Sequence, residues 1–114
     1  MTIKKEPIHA GEFLLAEGAG NISRETINVA AGPALNPGQV LGLVTATGEF
    51  APYDPAAEDG TQAAVAILYG QLGESDIVRR GRAVVRLAEV SELHLTGLDS
   101  EAKKDLATHF LIVR

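Results

Sequence analysis

Turn chemistry sets the first limit on what this chain can fold into. Between Gly32 and Leu68, three short apolar runs, at residues 40–44, 49–53 and 63–68, are divided by residues that reverse a backbone. Pro37-Gly38 suits a type II turn: proline presets φ at the first corner and glycine accepts a positive φ at the second. Thr47-Gly48 fits a hairpin corner and Asp59-Gly60 a further turn. The stretch predicts a compact β scaffold to which the rest of the chain is attached.

At 114 residues the chain reads as one domain, long enough to bury roughly two thirds of its unfolded surface without staples. It has no cysteine, which excludes disulfides and thiolate metal sites and suits a reducing compartment. No run of about 18 apolar residues is present, so no transmembrane helix is expected and no membrane partner is read. The first residues carry charge but no continuous apolar stretch, which argues against a secretory signal. The net charge is −5, and its distribution says more than its total. Between Arg24 and Arg79 there is no Lys or Arg, while Glu49, Asp54, Glu58, Asp59, Glu74 and Asp76 all fall there. Phosphate-backbone binding needs clustered positive charge, so no nucleic-acid partner is read for this region.

Residues 1–24 stand apart. They hold Pro7, Gly11, Gly18, Gly20 and mixed charges around one apolar cluster, Phe13-Leu14-Leu15. No helical or strand period is sustained, so a flexible arm is expected. Three adjacent large apolar residues point to a docking role for it. Residues 26–30 alternate, with Ile27 and Val29 on one face of a predicted strand. Residues 40–45 and 63–69 are apolar on both faces, as in covered strands, while Pro52 and Pro55 confine the strand between them to a short edge position. Residues 79–82, Arg-Arg-Gly-Arg, predict a turn, and residues 83–87 a strand with Ala83, Val85 and Leu87 on one face. Residues 89–95 fit either class. Asp99 or Ser100 offers a helix N-cap, with Glu101 in the first turn. Leu98, Ala102, Leu106 and Phe110 recur every four residues, giving one short helix over residues 100–109, and residues 110–113 return as a strand.

No catalytic constellation is visible. His9, His94 and His109 lack ligand spacing, so they read as solvated or partly packed histidines, and no metal site is assigned. Residues 54–60 carry Asp54, Glu58 and Asp59 without the spacing of a calcium loop, so a solvated acidic loop is the simpler reading. Gly18-Ala19-Gly20 opens like a dinucleotide fingerprint but lacks the third glycine and a preceding strand. Ser75 lacks the closing glycine of a nucleophile elbow. Arg79, Arg80 and Arg82 could hold a phosphate or carboxylate only with a partner in register, and a basic turn in water is the simpler alternative. No enzyme, catalytic residue or cofactor is assigned.

The order of features nevertheless resembles a known family. A mobile arm leads into Ser23-Arg24-Glu25-Thr26. There follow Leu35-Asn36-Pro37-Gly38-Gln39-Val40-Leu41-Gly42, then Gly48-Glu49-Phe50-Ala51-Pro52-Tyr53-Asp54. Asp59-Gly60-Thr61-Gln62 precedes the run to Leu68, and Glu101-Ala102-Lys103-Lys104 precedes a terminal Ile112-Val113. This arrangement resembles the head decoration protein family of tailed bacteriophages, lambda type, over nearly the whole chain. The resemblance implies a mostly β, β-clip-like small barrel with one short α-helix near the C-terminus. It implies a capsid-binding arm at residues 1–24 and a decoration domain at residues 25–114. It further implies a homotrimer, made in the bacterial cytoplasm, that binds the major capsid protein on the outer surface of the virion at local threefold sites and clamps the expanded head against internal DNA pressure. Carried onto this sequence, the arm contacts would be Phe13, Leu14, Leu15, Ile22, Ser23, Arg24, Glu25 and Thr26, with residues 22–26 best placed to pair with a capsid strand. Two other classes compete on the residues alone. One is a small β module that binds a ligand or peptide between residues 54–60 and 79–82. The other is an enzyme on such a scaffold, which requires acids converging with a metal or nucleophile.

Overall fold

The computed structural model describes residues 9–19 and 22–114. Among these the chain is mostly β, with eight strands and one short α-helix near the C-terminus. Five strands close a barrel in the order β2-β4-β3-β5-β6: β2 (Arg24–Val29), β3 (Val40–Leu43), β4 (Phe50–Pro52), β5 (Ala64–Leu68) and β6 (Arg79–Val84). Three more form a second sheet in the order β1-β7-β8: β1 (Leu14–Glu17), β7 (Ala88–Val90) and β8 (Leu111–Val113).

The local causes are those of turn chemistry and capping. The Pro37-Gly38 turn forms as expected: the Gln39 amide donates to the Asn36 carbonyl, and Gly38 has φ 93°. A side chain at Gly38 is doubly excluded, because a Cβ there would come within 2.3 Å of the His94 carbonyl oxygen. The β3–β4 hairpin turns at Gly48, with φ 73°. The helix α1 (Ser100–Thr108) starts at Asp99, whose carboxylate accepts from the Ala102 amide at 2.7 Å. It turns Ala102 and Leu106 into the core, both fully buried.

Two apolar cores result. One fills the barrel with Ile27, Val29, Leu41, Ala66, Leu68 and Ala83. The other lies between the outer face of the barrel, the second sheet and α1, where Val40, Ile67 and Val84 meet Phe13, Val90, Leu106 and Leu111. Because β3 and β5 feed both cores from alternate residues, their apolar runs are continuous rather than alternating, while β6 feeds them only through Ala83 and Val84 at its end.

Three sequence readings change. Residues 79–82 are not a turn but the first part of β6, paired antiparallel with β2 from Arg79↔Val29 to Val84↔Arg24. Gly81 sits mid-strand because the Leu72 side chain lies over it, 3.1 Å from where a Cβ would be. The strand read at residues 83–87 therefore ends at Val84, and Leu87 is a corner at φ 53°. The strand at Phe50–Pro52 is not at an edge. It lies between β3 and β2, although its pairing with β2 is confined to Val29↔Phe50.

Candidate functional site

Flexibility was expected through residue 24, yet the described part of that stretch is seated on the body. Phe13 is fully buried in the core between the two sheets, since a phenyl ring there excludes more water than any exposed alternative would. Leu14 is half-buried, Leu15 is exposed, and β1 pairs antiparallel with β7. Residues 1–8, 20 and 21 of the expected arm lie outside the described residues.

A polar knot fixes the entry to β2. Ser23 is fully buried; its hydroxyl accepts from the Gly18 amide at 2.9 Å and donates to the Leu87 carbonyl at 3.0 Å. Arg24 donates through Nε to the Glu17 carboxylate at 3.0 Å and lies over the Tyr69 ring, 4.0 Å from its centroid. The Glu17 hydrogen bond holds the guanidinium above the ordinary arginine pKa. Glu25 pairs with Arg86 at 3.1 Å, while Ile22 and Thr26 are exposed. Of the residues assigned to the arm, the structure thus brings Ser23, Arg24, Glu25 and Thr26 onto the start of β2 and puts Phe13 in the core.

Two features were not legible in the sequence. Leu87 and Phe110 both adopt positive φ, at 53° and 60°, a region that costs non-glycine residues on the order of 1–2 kcal/mol. Their side chains are 43% and 65% exposed, and with Ile112 they border a groove of about 390 Å³ beside Gly18. The second feature is the mouth of the barrel. Leu43, Phe50 and Val65, one residue from each of β3, β4 and β5, and Val85, just past the end of β6, line a groove of about 450 Å³. Glu25, Arg86 and Phe110 stand at its rim. An alternating pattern marks which residues face a barrel interior, but nothing in it marks where the interior is left open.

The other candidate segments are occupied by their own structure. Arg79 is buried and donates to three carbonyl oxygens: to Ala30 at 2.7 and 3.2 Å, to Pro33 at 2.7 Å and to Gly73 at 3.0 Å. In the acidic loop, the Asp59 carboxylate accepts from the Thr61 amide and hydroxyl, and these bonds lower its pKa. Asp54 accepts from the Ala56 amide. Among the described residues no group of three or more His, Asp or Glu is placed to hold a metal ion. None of the described helices is long and apolar enough to cross a membrane.

Against known proteins, the family model for the bacteriophage lambda head decoration protein D matches residues 3–111. No curated protein matches the chain.

Proposed function

Because the chain belongs to the bacteriophage lambda head decoration protein D family, we propose that it binds the major capsid protein as a homotrimer on the outer surface of the expanded head, at local threefold sites, and holds the shell against internal DNA pressure. The observation that carries this reading is the extent of the family match, which runs from residue 3 to residue 111 of 114 and takes in the barrel, the helix and the second sheet as far as the first residue of β8. It is a non-catalytic role, and no cofactor enters it.

The surface supports it. A rigid double-core body carries large apolar side chains in water: Leu15 at 55%, Ile22 at 50%, Phe110 at 65% and Leu93 at 91% exposed. Of the exposed apolar residues, Leu87, Phe110 and Ile112 line one groove, and apolar side chains gathered in one place in water suit a contact surface. In this reading residues 1–24 form the capsid-binding arm and residues 25–114 the decoration domain. Phe13 and Leu14 tie the arm to the body, Leu15 and Ile22 meet the shell, and the stretch Ser23, Arg24, Glu25 and Thr26 adds a strand to the capsid protein. Strand addition uses main-chain bonds, which tolerate the rest of the sequence. Three such contacts on one trimer act together, and avidity of roughly 10²–10⁴ over a single contact follows from linking them.

The test is direct. Native mass measurement should give three chains per particle, and the protein should co-sediment with expanded shells and raise their resistance to heat. A monomer that ignores shells would end this reading.

A further inference from the structure

Asp59-Gly60 is the only Asp-Gly pair in the chain, and Asn-Gly does not occur. An aspartyl carboxyl is most open to attack by the next amide nitrogen when that residue is glycine, because no Cβ hinders the approach. The fold nevertheless demands this pair. Gly60 has φ 112°, and a Cβ on it would come within 2.3 Å of the Leu43 carbonyl oxygen, so a side chain is excluded twice over. The Asp59 carbonyl accepts from the Thr45 amide at 3.0 Å and from the Thr45 hydroxyl at 3.1 Å, which ties the β4–β5 loop to the end of β3. Asp59 itself is exposed, so water reaches it.

Both groups that would react are engaged elsewhere. Asp59 Oδ1 accepts from the Thr61 hydroxyl at 2.6 Å and from the Thr61 amide at 3.0 Å. Those bonds, the hydroxyl's first, favour the ionised carboxylate and lower its pKa. A carboxylate anion is a far poorer electrophile than a carboxylic acid. The Gly60 amide, which would be the nucleophile, donates to Gln62 Oε1 at 2.8 Å, so its proton is held and its direction fixed. Thr61 is buried, which anchors the first clamp, whereas Gln62 lies in water. We propose that Asp59-Gly60 is a latent isomerisation site and that Thr61 and Gln62 form the lock that keeps it unreacted. When the loop opens, the Gly60 nitrogen attacks Cγ of the protonated Asp59 carboxyl. A C–N bond forms, the carboxyl hydroxyl leaves with the amide proton as water, and a five-membered cyclic imide results. Water then opens the ring. Opening at Cγ restores aspartate. Opening at the main-chain carbonyl carbon leaves Gly60 bonded through Cγ, an isoaspartyl linkage with one extra carbon in the backbone. One water is lost and one regained, and nothing is oxidised or reduced. The carbonyl that Thr45 holds becomes a free carboxylate, and the loop is lengthened. The lock therefore sets how long one copy keeps the β3 end of its barrel, which matters for a body that acts without turnover.

Ageing the full chain in mildly acidic buffer, folded and in urea, tests this. Isoaspartate at residue 59 is measured by fragmentation mass spectrometry and by enzymatic methylation of isoaspartyl carboxyls. The unfolded chain should accumulate it at least about tenfold faster than the folded one, since reaction in the native state is confined to openings of the loop. Asp59→Glu should abolish the signal at this residue, because the longer side chain would have to close a six-membered ring. Gln62→Ala should speed the reaction of the folded protein roughly tenfold, the loss expected for one hydrogen bond. Gln62→Glu keeps an acceptor for the Gly60 amide and should stay near the parent rate. Both changes are at an exposed side chain and should leave the melting temperature where it is. Where a variant does melt lower, the comparison of folded with unfolded parent still decides. Equal rates in the two states, or no isoaspartate at residue 59 in the unfolded chain, overturn the proposal. A fully folded Gln62→Ala that ages no faster than the parent overturns the lock.

Discussion

Arg79 and Tyr53 show how single side chains hold segments that no regular element holds. The Arg79 guanidinium draws together the carbonyls of Ala30, Pro33 and Gly73, which come from the end of β2, the loop after it and the approach to β6. A lysine has the charge but not the planar fork, and cannot reach three separated carbonyls from one nitrogen. Arg79→Lys is therefore expected to cost about 2 kcal/mol, in line with losing hydrogen bonds to a buried charged donor. Urea unfolding should show this as a lower midpoint with an unchanged slope. Tyr53 joins the barrel to the helix start: its hydroxyl meets both oxygens of Asp99, at 2.9 and 3.0 Å, while one of those oxygens also caps α1. Burial, reinforced by the Asp99 carboxylate, pushes the phenol up from 10.0 to about 12. Between those values the folded state holds a proton that the unfolded chain has released. Stability from this group is thus whole below pH 10 and drains away as pH rises toward 12. Tyr53→Phe should flatten that alkaline fall, as followed by melting temperature against pH. Asp99→Ala should cost about 1–2 kcal/mol through the lost cap alone.

At the scale of elements, β1 and the Leu87 corner carry the clearest consequences. Phe13 is the residue that fastens β1, and its removal leaves a hole between the sheets. Phe13→Ala is expected to cost about 3–5 kcal/mol and to make the chain around residue 17 newly sensitive to limited proteolysis. Leu87 works in the opposite sense. Its side chain is 43% exposed and its backbone is in a region that favours glycine. Leu87→Gly should therefore leave stability unchanged or raise it by up to about 1 kcal/mol, read from the denaturation midpoint. These two elements also show what was legible in the sequence. The strands at residues 40–45 and 63–69, the Pro37-Gly38 turn and the capped helix were readable because apolar continuity, φ-fixing residues and an N-cap act locally. Residues 14–17 were not, because LLAE has no strand pattern of its own and becomes a strand by pairing with β7, some 70 positions away in the chain. Arg-Arg-Gly-Arg at 79–82 was misread for the same reason. Its glycine and charges favour a turn locally, and only Leu72 packing on Gly81 and the carbonyls around Arg79 make the segment a strand.

The whole molecule couples its ends to its middle. The chain's first described strand and its last strand both flank β7, and the sheet they make rests on the barrel through one shared core. Neither sheet can be loosened without exposing Val40, Ile67 and Val84 on its inner side. A body whose two sheets share one core fits the passive clamping proposed for it. It also fixes how strength is gained on the proposed trimer. One copy that adds a short strand binds weakly, because ordering an extended segment costs on the order of 1–2 kcal/mol per residue. Three copies held together convert the second and third contacts into intramolecular events. A variant kept monomeric by a charge at the subunit contact, once that contact is mapped, should retain the melting temperature of an isolated subunit and lose roughly 10²–10⁴ in shell affinity. Titrating expanded shells with trimer and monomer side by side measures that ratio. Equal affinities would mean that the strength lies within a single subunit's contact and that threefold assembly contributes nothing to holding the shell.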